Sequence, residues 1–140
     1  MVGKPRVLIA EDDPDTLVIL RINLNAAGIE PMLAGDGHTA LERIEAESPD
    51  AVLLDVLLPG IDGWQVLEQL HAKGDPVPVI VCSGKDNMHD LQRARELGAV
   101  AYLVKPFDID RLIEVTGEVV GLRRTDPATE RGTTAGIELA

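Results

Sequence analysis

The chain has 140 residues, of which 45% are hydrophobic and only 2% aromatic, and a formal net charge of −11 at pH 7. This length fits one domain with a single aliphatic core better than two domains. The negative charge would repel a nucleic acid backbone or an anionic membrane surface, so we expect direct binding to neither. No apolar stretch approaches the ~20 residues that span a bilayer, and the single Cys82 permits no internal disulfide. We therefore expect a soluble protein of a reducing, cytoplasmic compartment.

Apolar runs typical of buried strands alternate with segments of helical period along the chain. The runs lie at residues 7–10, 51–54, 77–82 and 100–104, and a weaker strand candidate lies at 30–34. The order is therefore βα repeated five times. This pattern predicts an α/β fold with a doubly wound, five-stranded parallel sheet covered by helices.

Helix boundaries are marked by capping residues. The candidates that would begin helices are Asp13 with Pro14, Asp62 and Asp108, and the glycines that would end them are Gly28, Gly74 and Gly98. The last helix is predicted from Asp108 to about Leu122. Residues 123–140 are small, polar and turn-forming, without an apolar period. We expect a globular domain at residues 1–122, followed at 123–140 by a flexible tail or the start of a linker.

Reactive side chains stand where four of the predicted strands end. Glu11-Asp12-Asp13 follows the first strand, Asp55 the third, Ser83 the fourth, and Lys105-Pro106 the fifth. Ligands of an open parallel sheet bind outside the carboxyl ends of its strands, so these residues should converge in one crevice. Carboxylates, a hydroxyl and an ammonium group together suit a metal ion and a phosphoryl group.

The acidic residues Glu11, Asp12 and Asp55 need compensation if they converge. Two carboxylates ~4 Å apart repel by roughly 4 kcal/mol at an effective dielectric constant near 20, and a dication removes that cost. Oxygen ligands suit Mg²⁺, with Mn²⁺ as a substitute, better than Zn²⁺. Taken singly, each residue also has a structural interpretation: the acids as a helix-start cluster, and Ser83 as a turn residue.

With these motifs in order, the chain resembles the CheY-like receiver domain of bacterial two-component response regulators over residues 6 to about 122. The segments that carry the resemblance are Val-Leu-Ile-Ala-Glu11-Asp12, Leu-Leu-Asp55-Val-Leu-Leu-Pro59-Gly60-Ile-Asp62-Gly63, Ser83-Gly84 and Lys105-Pro106-Phe107. The resemblance implies a phosphorylation-activated signalling switch. The resemblance also implies that the protein is not an enzyme with a separate substrate, because a receiver domain catalyses only its own phosphorylation and slow dephosphorylation.

The resemblance also implies roles for individual residues. Asp55 would accept a phosphoryl group from a phosphohistidine of a sensor histidine kinase or a histidine phosphotransfer protein. Mg²⁺ would be held by Asp12, Asp55, the backbone carbonyl of Leu57 and, through water, Glu11. Glu11 stands where the family more often has Asp, which adds one methylene of reach. Lys105 would neutralise phosphoryl oxygens.

Further implied roles concern the switch and access to the site. The Ser83 hydroxyl would bind a phosphoryl oxygen and draw its loop inward, and the ring of Tyr102 would fill the vacated space. The small Gly84 would leave the site open to the donor. The bond before Pro106 is a candidate cis peptide, which would fix the direction of the preceding lysine.

The resemblance places the output surface on the predicted fourth helix, fifth strand and fifth helix, facing an unknown output domain or protein. This face is also a candidate homodimer surface. Regulators that dimerise there often carry acidic residues before the tyrosine, whereas Val100 and Ala101 stand there in this chain. Trp64 and Phe107 are expected to be structural.

Three other functions are weighed against this one. A flavodoxin-like FMN binder would not place Glu-Asp-Asp-Pro-Asp in its first loop, because these acids repel phosphate. A haloacid-dehalogenase-type phosphatase would need an Asp-x-Asp-x-Thr pattern, which Asp13-Pro14-Asp15-Thr16-Leu17 misses by one residue. A receiver-like binding module that signals without phosphorylation stays open as the alternative, although the intact acidic site argues against it.

Overall fold

The computed structural model describes residues 3–84, 88–123 and 138–139. Strands and helices alternate along these residues. Their bounds are β1 (Arg6–Ala10), α1 (Pro14–Ala26), β2 (Glu30–Ala34), α2 (Gly37–Glu47), β3 (Ala51–Asp55), α3 (Gly63–Lys73), β4 (Val79–Ser83), α4 (Met88–Glu96), β5 (Ala101–Val104), α5 (Ile109–Arg123) and β6 (Glu138–Leu139).

The strands form one parallel sheet in the order β2-β1-β3-β4-β5-β6. The predicted α/β fold with a doubly wound parallel sheet is confirmed, and the five predicted strands agree with the observed ones to within two residues at each end. A sixth strand of two residues, which the sequence did not predict, pairs with β5 through Ala101 and Tyr102. Strands β1, β3, β4 and β5 lie inside the sheet, which explains their mainly apolar character.

Alternating strand residues supply the two faces of the sheet. Leu8 faces the cluster that α2, α3 and α4 cover, whereas Val7 and Ile9 face the cluster beneath α1 and α5. Aliphatic side chains dominate both clusters, as the composition predicted. The helices therefore bury both faces and leave the carboxyl ends of the strands as the edge where ligands bind.

Capping side chains begin the helices at the predicted residues. The Asp13 carboxylate accepts a hydrogen bond from the backbone N–H of Thr16, and Asp62 forms a capping box with Gln65. At the start of α3, a Cβ atom added to Gly63 would lie 2.2 Å from the carbonyl oxygen of Asp55. Only glycine therefore permits this close approach of α3 to the end of β3.

The predicted tail at 123–140 lies mostly outside the described residues. The described parts are the backbone of residue 123, which ends α5, and strand β6. The division into a domain at 1–122 and a tail at 123–140 stays a prediction. Within the described residues, every helix is too short or too polar to cross a bilayer.

Candidate functional site

Four strand ends meet at one edge of the sheet. Glu11 directly follows β1, Asp55 ends β3, Ser83 ends β4, and Lys105 directly follows β5. Backbone hydrogen bonds fix these ends against their neighbours: the N–H of Lys105 donates to the carbonyl of Ser83 at 2.7 Å, and that of Glu11 donates to Ala34 at 3.0 Å. The register of a parallel sheet thus gathers side chains that lie far apart in sequence.

Three carboxylates converge at this edge. Glu11, Asp12 and Asp55 each offer an oxygen, and these oxygens lie within 4.8 Å of one another. Glu11 and Asp55 are buried, at 3% and 6% exposure, whereas Asp12 is exposed. The predicted acidic cluster is therefore present, with two members inside the protein and one at its surface.

Lys105 bridges the two buried carboxylates. Its Nζ lies 2.6 Å from Oε1 of Glu11 and 2.8 Å from Oδ2 of Asp55. The sequence did not predict the contact with Glu11, which was expected to act through water. The extra methylene of glutamate was the available signal, because it lengthens the reach of that carboxylate toward the lysine.

Backbone donors hold the other oxygen of each buried carboxylate. Oε2 of Glu11 accepts from the N–H of Asp13 at 3.1 Å, and Oδ1 of Asp55 accepts from the N–H of Leu57 at 2.9 Å. Each carboxylate is thus fixed at one oxygen by the backbone and at the other by Lys105. This arrangement orients the Asp55 carboxylate before any reaction begins.

Burial and pairing shift the ionisation of the site in two ways. Burial raises the pKa of the Glu11 carboxyl, and the opposing hydrogen bonds from Lys105 and the N–H of Asp13 do not cancel this effect. Burial acts to lower the pKa of Lys105, but its hydrogen bonds to Asp55 and Glu11 outweigh burial and raise that pKa. Lys105 is therefore a permanent cation at neutral pH.

Comparison with known proteins identifies the family. The model of the response regulator receiver domain matches residues 7–116. This chain belongs to the response regulator receiver domain family. The sequence prediction of the family is confirmed.

Two curated relatives are similar to this receiver domain over most of its length. The transcriptional activator protein IrlR of Burkholderia pseudomallei is 41% identical over 125 residues, which cover 89% of this chain and 53% of IrlR. The response regulator MprA of Mycolicibacterium vanbaalenii is 36% identical over 132 residues, which cover 94% of this chain and 56% of MprA. The chain thus spans about half the length of the curated relatives that it matches.

Solved structures show the same fold. The receiver domain of Francisella response regulator 1452 is 31% identical, with a TM-score of 0.81 over 84% of this chain and 97% of that one. A CheY-like receiver domain protein from Methanospirillum hungatei JF-1 is 27% identical, with a TM-score of 0.80 over 86% of this chain and 97% of that one. The CheY-like architecture is therefore established.

The donor set of this receiver domain fits a hard divalent cation. Glu11, Asp12 and Asp55 supply only oxygen, and the single ammonium of Lys105 leaves negative charge uncompensated. Receiver domains generally bind Mg²⁺ at such an acidic pocket. Leu57, whose backbone carbonyl was predicted as a further ligand, is 71% exposed.

The residues predicted for the switch and for access lie beside the acidic cluster or in the core. Ser83 and Tyr102 are fully buried, and Tyr102 packs among the apolar side chains beneath α2, α3 and α4. Gly84 is exposed, and a Cβ atom added there would have no atom of the described residues within 4 Å. The peptide bond between Lys105 and Pro106 is cis.

A mainly apolar groove of about 440 Å³, which the sequence did not predict, opens beside Lys105. It lies between α1 and the connection from β5 to α5. Its lining residues are Thr16, Ile19, Leu20, Lys105, Pro106, Phe107 and Ile109. Phe107 lines this groove, and the Lys105 ammonium lies 5.9 Å from the centroid of its ring. Phe107, which was expected to be structural, therefore also borders the candidate site.

Proposed function

We propose that this receiver domain is a phosphorylation-activated switch in which Asp55 accepts a phosphoryl group from a phosphohistidine. The donor is a sensor histidine kinase or a histidine phosphotransfer protein. The observation that carries the proposal is the Asp55 carboxylate itself, which is buried and held by Lys105 and by the N–H of Leu57 within the acidic cluster. A structural turn residue would need neither the ammonium partner nor the two further acids.

The proposed transfer needs no strong base, because a carboxylate is already a nucleophile. An Asp55 oxygen forms a bond to phosphorus, the phosphorus–nitrogen bond of the donor breaks, and its electron pair stays on the imidazole nitrogen. Lys105, which now contacts Asp55 at 2.8 Å, then pairs with a phosphoryl oxygen. Later attack by water on phosphorus restores the Asp55 carboxylate and releases inorganic phosphate. Catalysis therefore consists mainly of positioning and charge neutralisation.

The proposal assigns Mg²⁺, with Mn²⁺ as a substitute, to Asp12, Asp55, the carbonyl of Leu57 and, through water, Glu11. When bound, the ion supplies positive charge that offsets the phosphoryl oxygens. Glu11 and Asp55 currently share Lys105. Lys105 would therefore share these carboxylates with a bound cation.

Ser83 and Tyr102 carry the proposed response. The Ser83 hydroxyl binds a phosphoryl oxygen and draws its loop inward, and the ring of Tyr102, which is fully buried, fills the space that the loop vacates. This movement alters the face of α4, β5 and α5. We expect Ser83→Ala to accept the phosphoryl group but to lose the change at this face, measured by hydrogen exchange with and without phosphorylation. A full change in Ser83→Ala would contradict this assignment.

The groove beside Lys105 is the proposed seat of the phosphohistidine donor. Helix α1, whose Ile19 lines the groove, exposes three large aliphatic residues, Val18 at 44%, Ile19 at 47% and Ile22 at 58%. An apolar partner surface would bury them, while its phosphohistidine points toward Asp55. The negative charge of the chain disfavours nucleic acid or an anionic membrane as the direct partner.

The output of the switch belongs to a partner or a further domain. We propose that residues 1–122 act as the receiver unit in the cytoplasm and that 123–140 form a tail or the start of a linker, of which residues 138–139 pair with β5. The face of α4, β5 and α5 then contacts the output domain or protein, or a second copy of the chain. The relatives IrlR and MprA are about twice as long as the matched region, which supports an additional domain in proteins of this kind.

Intact-mass spectrometry tests the proposal after incubation with acetyl phosphate and Mg²⁺. Wild type should gain the mass of one phosphoryl group, hydroxylamine should remove it, and chelation of Mg²⁺ should prevent it. Asp55→Asn should stay unmodified, whereas Asp50→Asn, at an aspartate that binds the backbone of Arg6, should be modified like wild type. If folded wild type gains no mass, the alternative of a binding module that signals without phosphorylation replaces this proposal.

A further inference from the structure

Arg93 of α4 contacts two side chains of α3 at once. Its guanidinium carbon lies 4.5 Å from the centroid of the Trp64 ring, and its Nη2 donates to Oε2 of Glu68 at 3.1 Å. Trp64 and Glu68 are four residues apart, so they share one face of α3. A planar guanidinium group can stack on a ring and donate to a carboxylate together, which an ammonium group does less well.

Within its described side chains, helix α4 buries fewer large apolar groups than α3 does. Among the α4 side chains that the structure describes, Ala94 alone is fully buried, and Leu91 is partly buried. Helix α3, by contrast, buries three large side chains, Val66, Leu67 and Leu70. The free energy gained from apolar burial scales with the area removed from water. A polar contact therefore contributes a larger share of the free energy that holds α4 in place than it would for α3.

The start of α3 is fixed to the strand that ends in Asp55. The N–H of Gly63 donates to the carbonyl of Val56 at 3.0 Å, and an added Cβ atom at Gly63 would overlap the Asp55 carbonyl. Trp64 is the next residue. Arg93 therefore connects α4 to the segment of α3 that packs directly on the candidate phosphoacceptor.

We propose that Arg93 is a positioning residue that clamps α4 to α3 and thereby stabilises the arrangement in which Asp55 is unmodified and paired with Lys105. Loss of the clamp favours the modified arrangement, because a switch shifts by the difference in free energy between its two states. The link to phosphorylation rests on the proposed function. The clamp itself does not, since it rests on the contacts of Arg93 with Trp64 and Glu68.

Hydrogen exchange and fluorescence test the clamp in the unphosphorylated protein. Each exposed contact of this kind contributes only a small free energy, so its loss should have a moderate effect on local opening. Arg93→Ala should therefore accelerate amide exchange in α4 about three- to ten-fold. Trp64 is the single tryptophan of the chain, and its emission should become more sensitive to acrylamide. Arg93→Lys should give intermediate values. Arg95→Ala, at an exposed arginine of the same helix, should match wild type.

Equal exchange and equal quenching in Arg93→Ala and Arg95→Ala would overturn the clamp. The coupling has its own test, the affinity for beryllofluoride in the presence of Mg²⁺, which mimics a phosphoryl group. Arg93→Ala should bind it about three- to ten-fold more tightly than wild type. Unchanged affinity in a variant whose α4 is loosened would overturn the coupling. If Asp55 accepts no phosphoryl group at all, the proposed function fails, while the exchange experiment still decides the clamp.

Discussion

Lys105 lies between Glu11 and Asp55, with its Nζ 2.6 Å from one carboxylate and 2.8 Å from the other. These two acids are also candidate metal ligands, so the ammonium and a dication would compete for the charge of the same two carboxylates. The lysine has two opposite effects. It stabilises the metal-free protein, because two buried carboxylates share its charge, and it weakens the attraction of the site for a cation.

Removal of the Lys105 charge should therefore strengthen Mg²⁺ binding while it weakens the metal-free fold. We expect Lys105→Ala to bind Mg²⁺ about ten-fold more tightly, measured by titration calorimetry. Without Mg²⁺, urea should unfold the variant more readily than wild type, and Mg²⁺ should restore more stability to the variant. Lys73→Ala, at an exposed lysine in the last turn of α3, is the control. Weaker Mg²⁺ binding by Lys105→Ala would exclude competition.

Glu11 should give the metal-free protein a distinct pH dependence. Its pKa is raised above 4.5 in the folded state, chiefly by burial, so the folded state binds a proton more tightly than the unfolded state does. Stability from this group is therefore present below the unfolded pKa and is lost as pH rises through the folded pKa. Glu11→Gln removes this loss, and the variant should be more stable than wild type to urea at neutral pH.

The difference in unfolding free energy between Glu11→Gln and wild type should grow with pH between 4.5 and the raised pKa of Glu11 in the folded state, and then level off. Glu118→Gln, at an exposed position of α5, should show no such growth. Both measurements need a chelator, because a bound cation would stabilise the ionised form of Glu11. Lower stability of Glu11→Gln at neutral pH would mean that the ion pair with Lys105 outweighs burial.

The positions of the site residues could be predicted because they depend on strand order. Continuous apolar runs before Asp55, Ser83 and Lys105 indicated parallel strands, and the carboxyl ends of such strands share one edge. Conformations of long side chains are not determined in this way. Glu11 and Lys105 are 94 residues apart in sequence. Their contact depends on which rotamers two flexible side chains adopt once the sheet has brought their backbones together.

Contacts between helices could not be predicted from the sequence either. Arg93 and Trp64 meet because α3 and α4 lie on the same face of the sheet, and no local pattern in either helix indicates the other. Strand β6 has only two residues, which is too short for an alternating pattern. The sequence therefore predicted elements and their order, while pairings that depend on the packing of those elements required the structure.

Gly63 should tolerate no side chain. A Cβ atom there would lie 2.2 Å from the Asp55 carbonyl oxygen and 2.6 Å from the Cα of Val56, and both are backbone atoms that cannot rotate away. Gly63→Ala should lower the free energy of unfolding by about 3 kcal/mol. Gly121→Ala is the matched control, because the helical Gly121 is exposed and no described atom would crowd its added methyl group.

The control substitution should raise stability by up to about 1 kcal/mol, because alanine favours a helix over glycine. Urea unfolding followed by circular dichroism measures both variants. A Gly63→Ala variant as stable as Gly121→Ala would show that β3 and α3 can move apart without cost. The start of α3 would then not be fixed to Asp55, and the path from Arg93 to the site would lose its last step.

Cys82 should act as a probe of unfolding rather than as a reactive thiol. It is 4% exposed, and burial raises its pKa from 9.0 to about 12. A thiol reagent at about pH 8 should therefore label the folded protein very slowly and label urea-unfolded protein at once, because only the thiolate reacts. Cys82→Ala should show no labelling in either state.

The same pKa shift predicts how stability changes in alkali. As pH rises from 9.0 toward about 12, the unfolded chain loses the thiol proton while the folded chain keeps it. The folded state then binds more protons, so its stability must fall over this window. Cys82→Ala lacks this loss, and the difference in unfolding free energy between variant and wild type should grow with pH across the same range. Rapid labelling of folded wild type would instead show that the end of β4, next to Ser83, opens without global unfolding.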